Sequence, residues 1–126
     1  MERDTVIVAG FGFRTGADLS SLQAALALAQ EGQPTVSALA APEDKASHLA
    51  PLADALNLPL IAIDPQALES QPTRTLSLAS LNARRTGSVA EAAALAAAGP
   101  GARLLAPRHI SPDRMASCAI AQGAMP

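Results

Sequence analysis

The 126-residue chain has no tryptophan, no tyrosine, one cysteine, one lysine, two histidines and two phenylalanines. The single cysteine, Cys118, excludes an internal disulfide and any multi-cysteine metal site. Inside an apolar stretch, it reads as a buried, inert thiol. His48 and His109 are far apart, and neither has a partner at metal-ligand spacing, so no resident metal is expected. No run approaches the roughly 18 apolar residues of a membrane span. The opening MERDTVIVAG carries too short an apolar run, behind acidic residues, for a secretory signal. A cytoplasmic protein is the expectation. A net charge of -2 offers no basic surface for nucleic acid.

What is abundant is alanine, at thirty residues, in a chain that is 49% hydrophobic and 16% charged. That composition argues against disorder and for one domain, 1–126, with a core of Ala, Leu, Val and Ile. Eight of the nine basic residues are arginine, suited to bidentate recognition of carboxylate or phosphate.

TVIVAGF (5–11) is a short apolar run that suits a strand buried on both faces. Asp18 is placed to cap a helix with apolar positions Leu19, Leu22, Ala25, Leu26 and Ala29, ended by Gly32. TVSALAA (35–41) reads as a second strand stopped by Pro42. A helix is expected over 47–57 with Pro51 in or near its first turn. LPLIAID (58–64) is a third strand, and PQALES (65–70) a short helical turn opened by proline. Residues 71–76 read as a loop and 77–87 as a short helix. SVAEAAALAAAG (88–99) is the clearest helix, with Ser88 and Glu91 at capping-box spacing and Gly99 at its end. ARLLAPR and MASCAIA read as strands joined by HISPD, and the last four residues as frayed. The alternation predicts a three-layer α/β/α sandwich around a mostly parallel or mixed sheet of about five strands.

GFGFRTG (10–16) follows the first strand and precedes a helix. Its glycines miss the dinucleotide pattern, because Thr15 occupies the place of the third, and strand 2 ends without a ribose-binding acid. Two readings stay open. One is an anion cradle of backbone N–H groups, helix N-terminus and Arg14, with Phe11 and Phe13 as an apolar patch. The other is a turn whose glycines allow positive φ, with both rings in the core. Lys45 follows a strand end and would share the carboxyl edge of the sheet with this stretch; the alternative is a solvated surface lysine. Arg84 and Arg85 read as a solvated pair, and no nucleophile elbow is present.

VAGFGFRTGA, Lys45 after strand 2, TGSVAEAAALAAAG and the closing MASCAIA together resemble the CobE family of cobalamin biosynthesis. The same pattern forms the C-terminal domain of CbiG, the cobalt-precorrin-5A hydrolase of the anaerobic route. The resemblance covers nearly the whole chain in order. The G-x-G-x-R-x-G and G-S-V-A-E-A-A pair is its most specific part. It implies an α/β/α fold and a role in building the corrin ring. CbiG opens a lactone on a cobalt-corrinoid intermediate and releases a two-carbon fragment. This chain lacks CbiG's N-terminal region, so the stand-alone CobE type is expected. That means a carrier or accessory protein binding a precorrin or corrin intermediate through its carboxylates. An enzyme of the lactone-opening hydrolase type is the alternative, and whether a reaction is catalysed stays open. No cofactor is expected; other cobalamin-biosynthesis enzymes are the expected protein partners. The implied ligand-binding set is Gly10, Phe11, Gly12, Phe13, Arg14, Thr15, Gly16, Lys45, Ser88 and Glu91, with no catalytic residue named.

Overall fold

The computed structural model describes residues 6–71, 73 and 88–123. Its first strand, β1 (Ile7–Phe13), runs on past the apolar stretch that marks it in the sequence. Gly10 and Gly12 therefore lie inside a strand, and the connection starts only at Arg14. This corrects the reading of GFGFRTG as a glycine turn. Positive φ is found at Gly32, Gly99 and Gly101 instead.

Asp18 caps α1 (Leu19–Gln30), its carboxylate accepting the Ser21 N–H. β2 (Ala38–Pro42) begins later than the apolar stretch suggests and includes Pro42 as its last residue. In α2 (Ala46–Leu56), Pro51 falls inside the helix beyond the first turn, where its missing N–H leaves the Ser47 carbonyl without an intrahelical donor. Asn57, left-handed at φ 56°, closes the helix by donating to the Ala53 and Asp54 carbonyls. β3 (Leu60–Ile63) leads through the capping residue Asp64 into α3 (Pro65–Glu69). The helix expected over 77–87 lies outside the described residues.

α4 (Val89–Ala98) starts at Ser88, whose hydroxyl accepts the Glu91 N–H, and ends at Gly99 with φ 96°. β4 (Arg103–Ile110) and β5 (Ala116–Gln122) form a hairpin around Ser111–Met115. Gly123 does not fray: its N–H donates to the Val6 carbonyl at 2.9 Å. Residues 124–126 lie outside the described residues.

The five strands form one mixed sheet in the order β3-β2-β1-β5-β4. β1, β2 and β3 are parallel, whereas β5 runs antiparallel to both β1 and β4. Strand alternation divides the core into two layers. Ile7, Ala9 and Phe11 of β1 face Leu22, Ala25, Leu49 and Leu52 of α1 and α2. Val8 faces the other way, toward Leu68 of α3 and Ala92 and Ala93 of α4. The result is the expected α/β/α arrangement.

Alanine and glycine set the spacing of the second layer. A Cβ at Gly10 would lie 2.2 Å from the Ala90 carbonyl oxygen and 2.4 Å from the Ala94 nitrogen. Gly10 is thus required for space, not for an unusual φ: it lets the backbone of α4 rest on β1.

Candidate ligand-binding site at the carboxyl edge

The carboxyl ends of β1, β2, β3 and β4 all point to one edge of the sheet. The connections meeting there are Arg14–Asp18, Glu43–Lys45, Asp64 and the Ser111–Met115 turn, and α4 also begins there, beside Gly12. α1 leaves β1 onto one face while α4 covers the other, so the end of β1 is where the two layers part. Open α/β sheets bind ligands at such places.

Lys45 precedes α2, yet its side chain reaches back to β1. Its Nζ donates to the Phe13 carbonyl at 3.0 Å and lies 5.3 Å from the centroid of the Phe13 ring. An ammonium over an aromatic face is attracted by the ring quadrupole, so one lysine ties two strand ends together. His48, in the first turn of α2, brings its ring centroid within 6.2 Å of that of Phe13, tilted by 55°. Phe13 is half-buried, at the outer margin of the α1–α2 core.

Arg14, Thr15 and Gly16 are exposed. The Arg14 N–H donates to the Met115 carbonyl at 2.9 Å, joining the end of β1 to the β4–β5 turn. Among the described residues no partner is recorded for its guanidinium. Arg114, exposed and left-handed at φ 62°, stands in that same turn. Arg14, Lys45 and Arg114 therefore gather around neighbouring connections.

A polar network holds this edge together. Asp18 Oδ1 accepts from Ser20 Oγ at 2.7 Å, Ser21 N at 3.0 Å and Ser21 Oγ at 3.1 Å. Ser21 Oγ also lies 2.5 Å from Asp113 Oδ2, while Ser111 Oγ donates to Asp113 Oδ1 at 2.6 Å. A hydroxyl has a single proton, so Ser21 donates to one carboxylate at a time, and the shorter contact favours Asp113. The Ser20 hydroxyl, then the Ser21 N–H, holds the Asp18 carboxyl below the ordinary carboxylate range; the Ser111 hydroxyl, then that of Ser21, does the same for Asp113. The α1 N-terminus thus already carries a carboxylate, and the free cationic character of the edge resides in side chains.

The structure brings Phe13, Arg14, Thr15, Gly16 and Lys45 together and keeps the rest of the expected set inside the fold. Phe11 is 0% exposed, in the α1–α2 core, so it offers no ring face to a ligand at the surface. Gly10 is filled in by α4. Gly12 is partly covered by Val89 and Ser117. Ser88 and Glu91 are both 0% exposed: the first caps α4, and the second accepts the Arg108 N–H at 2.9 Å. His48, Arg114 and the Asp18–Ser21–Asp113 link are absent from the expected set. Only the adjacency of β5 to β1 would have revealed the last two.

A cavity of about 280 Å³ lined by Gln71, Leu95, Ala96 and Gly99–Ala102 opens at the opposite end of α4. It shares no residue with this edge. Among the described residues no helix is long and apolar enough to cross a membrane, and no three His, Cys, Asp or Glu side chains cluster for a metal ion.

A mixed open sheet covered on both faces, with its connections gathered at one strand edge, defines a three-layer α/β domain. Residues 7–121 match the family described as "Cobalamin synthesis G C-terminus", and the chain belongs to that family of cobalamin-biosynthesis proteins. Among solved structures it is similar to CobE, a protein from the cobalamin (vitamin B12) biosynthetic pathway, with TM-score 0.87 and 29% identity over 100% of this chain and 96% of that one. It is also similar to the cobalamin biosynthesis protein chiG from Agrobacterium tumefaciens str. C58, with TM-score 0.72 and 39% identity over 94% and 99% of the two chains. A protein described as a cobalamin biosynthesis protein G homolog from Sulfolobus solfataricus shares the fold at TM-score 0.72 and 17% identity; the match covers 97% of this chain and 38% of that chain. No curated protein sequence matches.

Proposed function

We propose that this protein binds a precorrin or corrin intermediate through its side-chain carboxylates and serves cobalamin biosynthesis as a carrier or accessory protein. Such ligands are flat, largely apolar macrocycles edged with acetate and propionate groups. The observation that carries the reading is Arg14: an exposed arginine at the end of β1, next in the chain to the half-buried Phe13, whose carbonyl and ring Lys45 contacts. Arginine offers a planar fork matched to carboxylate, and Lys45 adds a second cation one strand away. Phe13, Thr15 and Gly16 complete the contact surface, with the Phe13 ring as its apolar element. The protein partner of a carrier is the enzyme that takes over the macrocycle.

The test is co-elution of the protein with corrin-pathway acids, followed by the ligand's visible absorption, since the chain has no tryptophan or tyrosine to report. A shifted spectrum in the protein fraction is expected. Free elution of every such acid would refute the proposal. The mass of the recovered ligand separates a carrier, which returns it unchanged, from a lactone-opening hydrolase.

A further inference from the structure

We infer, on the basis of the binding proposal above, that Ser111 and Asp113 are positioning residues for Arg14: they relay hydrogen bonds from the start of α1 to the backbone of that arginine. The relay can be followed bond by bond. Ser21 Oγ, in the first turn of α1, donates to Asp113 Oδ2. Asp113 Oδ1 accepts from Ser111 Oγ at 2.6 Å and from the Met115 N–H at 3.1 Å. Ser111 Oγ in turn accepts the Ala116 N–H at 3.1 Å. That N–H belongs to the same peptide unit as the Met115 carbonyl, which accepts the Arg14 N–H at 2.9 Å. A peptide unit is planar, so fixing its N–H fixes the direction of its carbonyl.

Ser111 is 1% exposed, and its hydroxyl both donates and accepts within this chain of bonds. The same turn keeps Arg114 left-handed at φ 62°, a conformation that a long side chain retains only where its surroundings over-determine it. On its other side, the Arg14 carbonyl accepts the Ala17 N–H at 3.0 Å. The backbone of Arg14 is thus held at both its N–H and its C=O, while its side chain stays exposed. Anchoring the backbone lowers the freedom that the arginine must lose when it grips a carboxylate. Charge alone argues the other way. Asp113 is an anion near a site for a carboxylated ligand, so by Coulomb's law its neutralisation should tighten binding. Positioning requires that it weaken binding.

The experiment titrates cobyrinic acid, a corrin acid with free carboxylates, by its visible absorption into wild type, Asp113→Asn and Ser111→Ala, each with and without Arg14→Ala. Both variants should bind about fivefold more weakly than wild type when Arg14 is present, and no more weakly than Arg14→Ala in its background. Amide hydrogen exchange, read by NMR without ligand, should show the Arg14 N–H exchanging faster in both variants while amides inside β1 stay protected. Asp113 is exposed and asparagine matches its size, so that variant serves even if Ser111→Ala fails to fold. Equal or tighter binding by Asp113→Asn, an undiminished effect in the Arg14→Ala background, or unchanged exchange at Arg14 overturns the inference. Absence of binding to wild type is a different failure: it refutes the binding proposal itself, and this inference falls with it.

Discussion

Lys45 Nζ donates to the carbonyl of Phe13 at 3.0 Å, so the only lysine of the chain fastens the end of β2 to the end of β1. A merely solvated lysine would cost nothing to remove. Lys45→Ala should lower stability by about 1 kcal/mol, from loss of the charge-assisted hydrogen bond and the ammonium–ring contact at a partly exposed position. It should also weaken corrinoid binding. Chemical denaturation measures the first effect and absorption titration the second; unchanged stability would mean the contact is not formed in solution.

Arg14→Ala should weaken corrinoid binding roughly ten- to a hundredfold, for the loss of about 1.5–3 kcal/mol of charge-assisted contact. Arg14→Lys should recover only part of it, because a point charge does not replace a planar fork. Added salt should weaken wild-type binding more than that of Arg14→Ala. Equal affinity of Arg14→Ala and wild type at low salt would remove Arg14 from the site.

Gly10→Ala should be strongly destabilising, by about 3 kcal/mol or more, since its new methyl meets backbone atoms of α4 that cannot rotate away. Gly16→Ala meets only the Met115 Cε, at 3.2 Å, and should cost far less. Urea midpoints of the two variants give the comparison. Similar midpoints would show that α4 does not rest on β1.

The carboxyls of Asp18 and Asp113 are held below their ordinary value of 3.8 by serine hydroxyls and backbone N–H groups. With the folded value below the unfolded one, their contribution is fully present above pH 3.8 and is lost as pH falls through the folded values. Asp113→Asn should therefore be less stable than wild type at neutral pH but lose less stability on acidification. Thermal melts across the range from about pH 6 to about pH 2.5 measure both. Parallel acid curves for variant and wild type would show that the Ser21–Asp113 link contributes nothing.

Burial drives the Cys118 thiol strongly upward from its ordinary value, and the residue is 0% exposed. It should resist alkylation at neutral pH in the native state and react on unfolding. Labelling with iodoacetamide before and after denaturant, read by mass, checks this; rapid native labelling would contradict its place in β5.

The elements legible in the sequence are those specified locally. α4 announces itself through Ser88, an alanine run and Gly99, and α1 through Asp18 and a regular apolar face. The glycines of β1 were harder, because a glycine that makes room for a helix looks the same in sequence as one that makes a turn. Gly10 owes its identity to Ala90 and Ala94, which lie far along the chain. The candidate site was half legible for the same reason. Arg14 and Lys45 follow strand ends and could be placed by topology, whereas Ser21 and Asp113 are 92 residues apart and meet only through sheet order. Phe11 and Phe13 share one side of β1, as alternation requires, yet only Phe13 reaches the rim: the depth of a residue along a strand is not written in its periodicity.

The position of β5 between β1 and β4 has a consequence for how the molecule comes into being. β5, an interior strand beside the central β1, comes last of the five in sequence, and it pairs with the first, Phe13 lying opposite Ala116 and Ile7 opposite Gln122. During translation β1, β2 and β3 can assemble in order, but one edge of β1 stays open until Gln122 has left the ribosome. A nascent chain therefore exposes a hydrogen-bonding edge flanked by apolar side chains until β5 has been made, a state prone to misassociation. Arg14, waiting for the Met115 carbonyl, takes up its final position only when that edge closes.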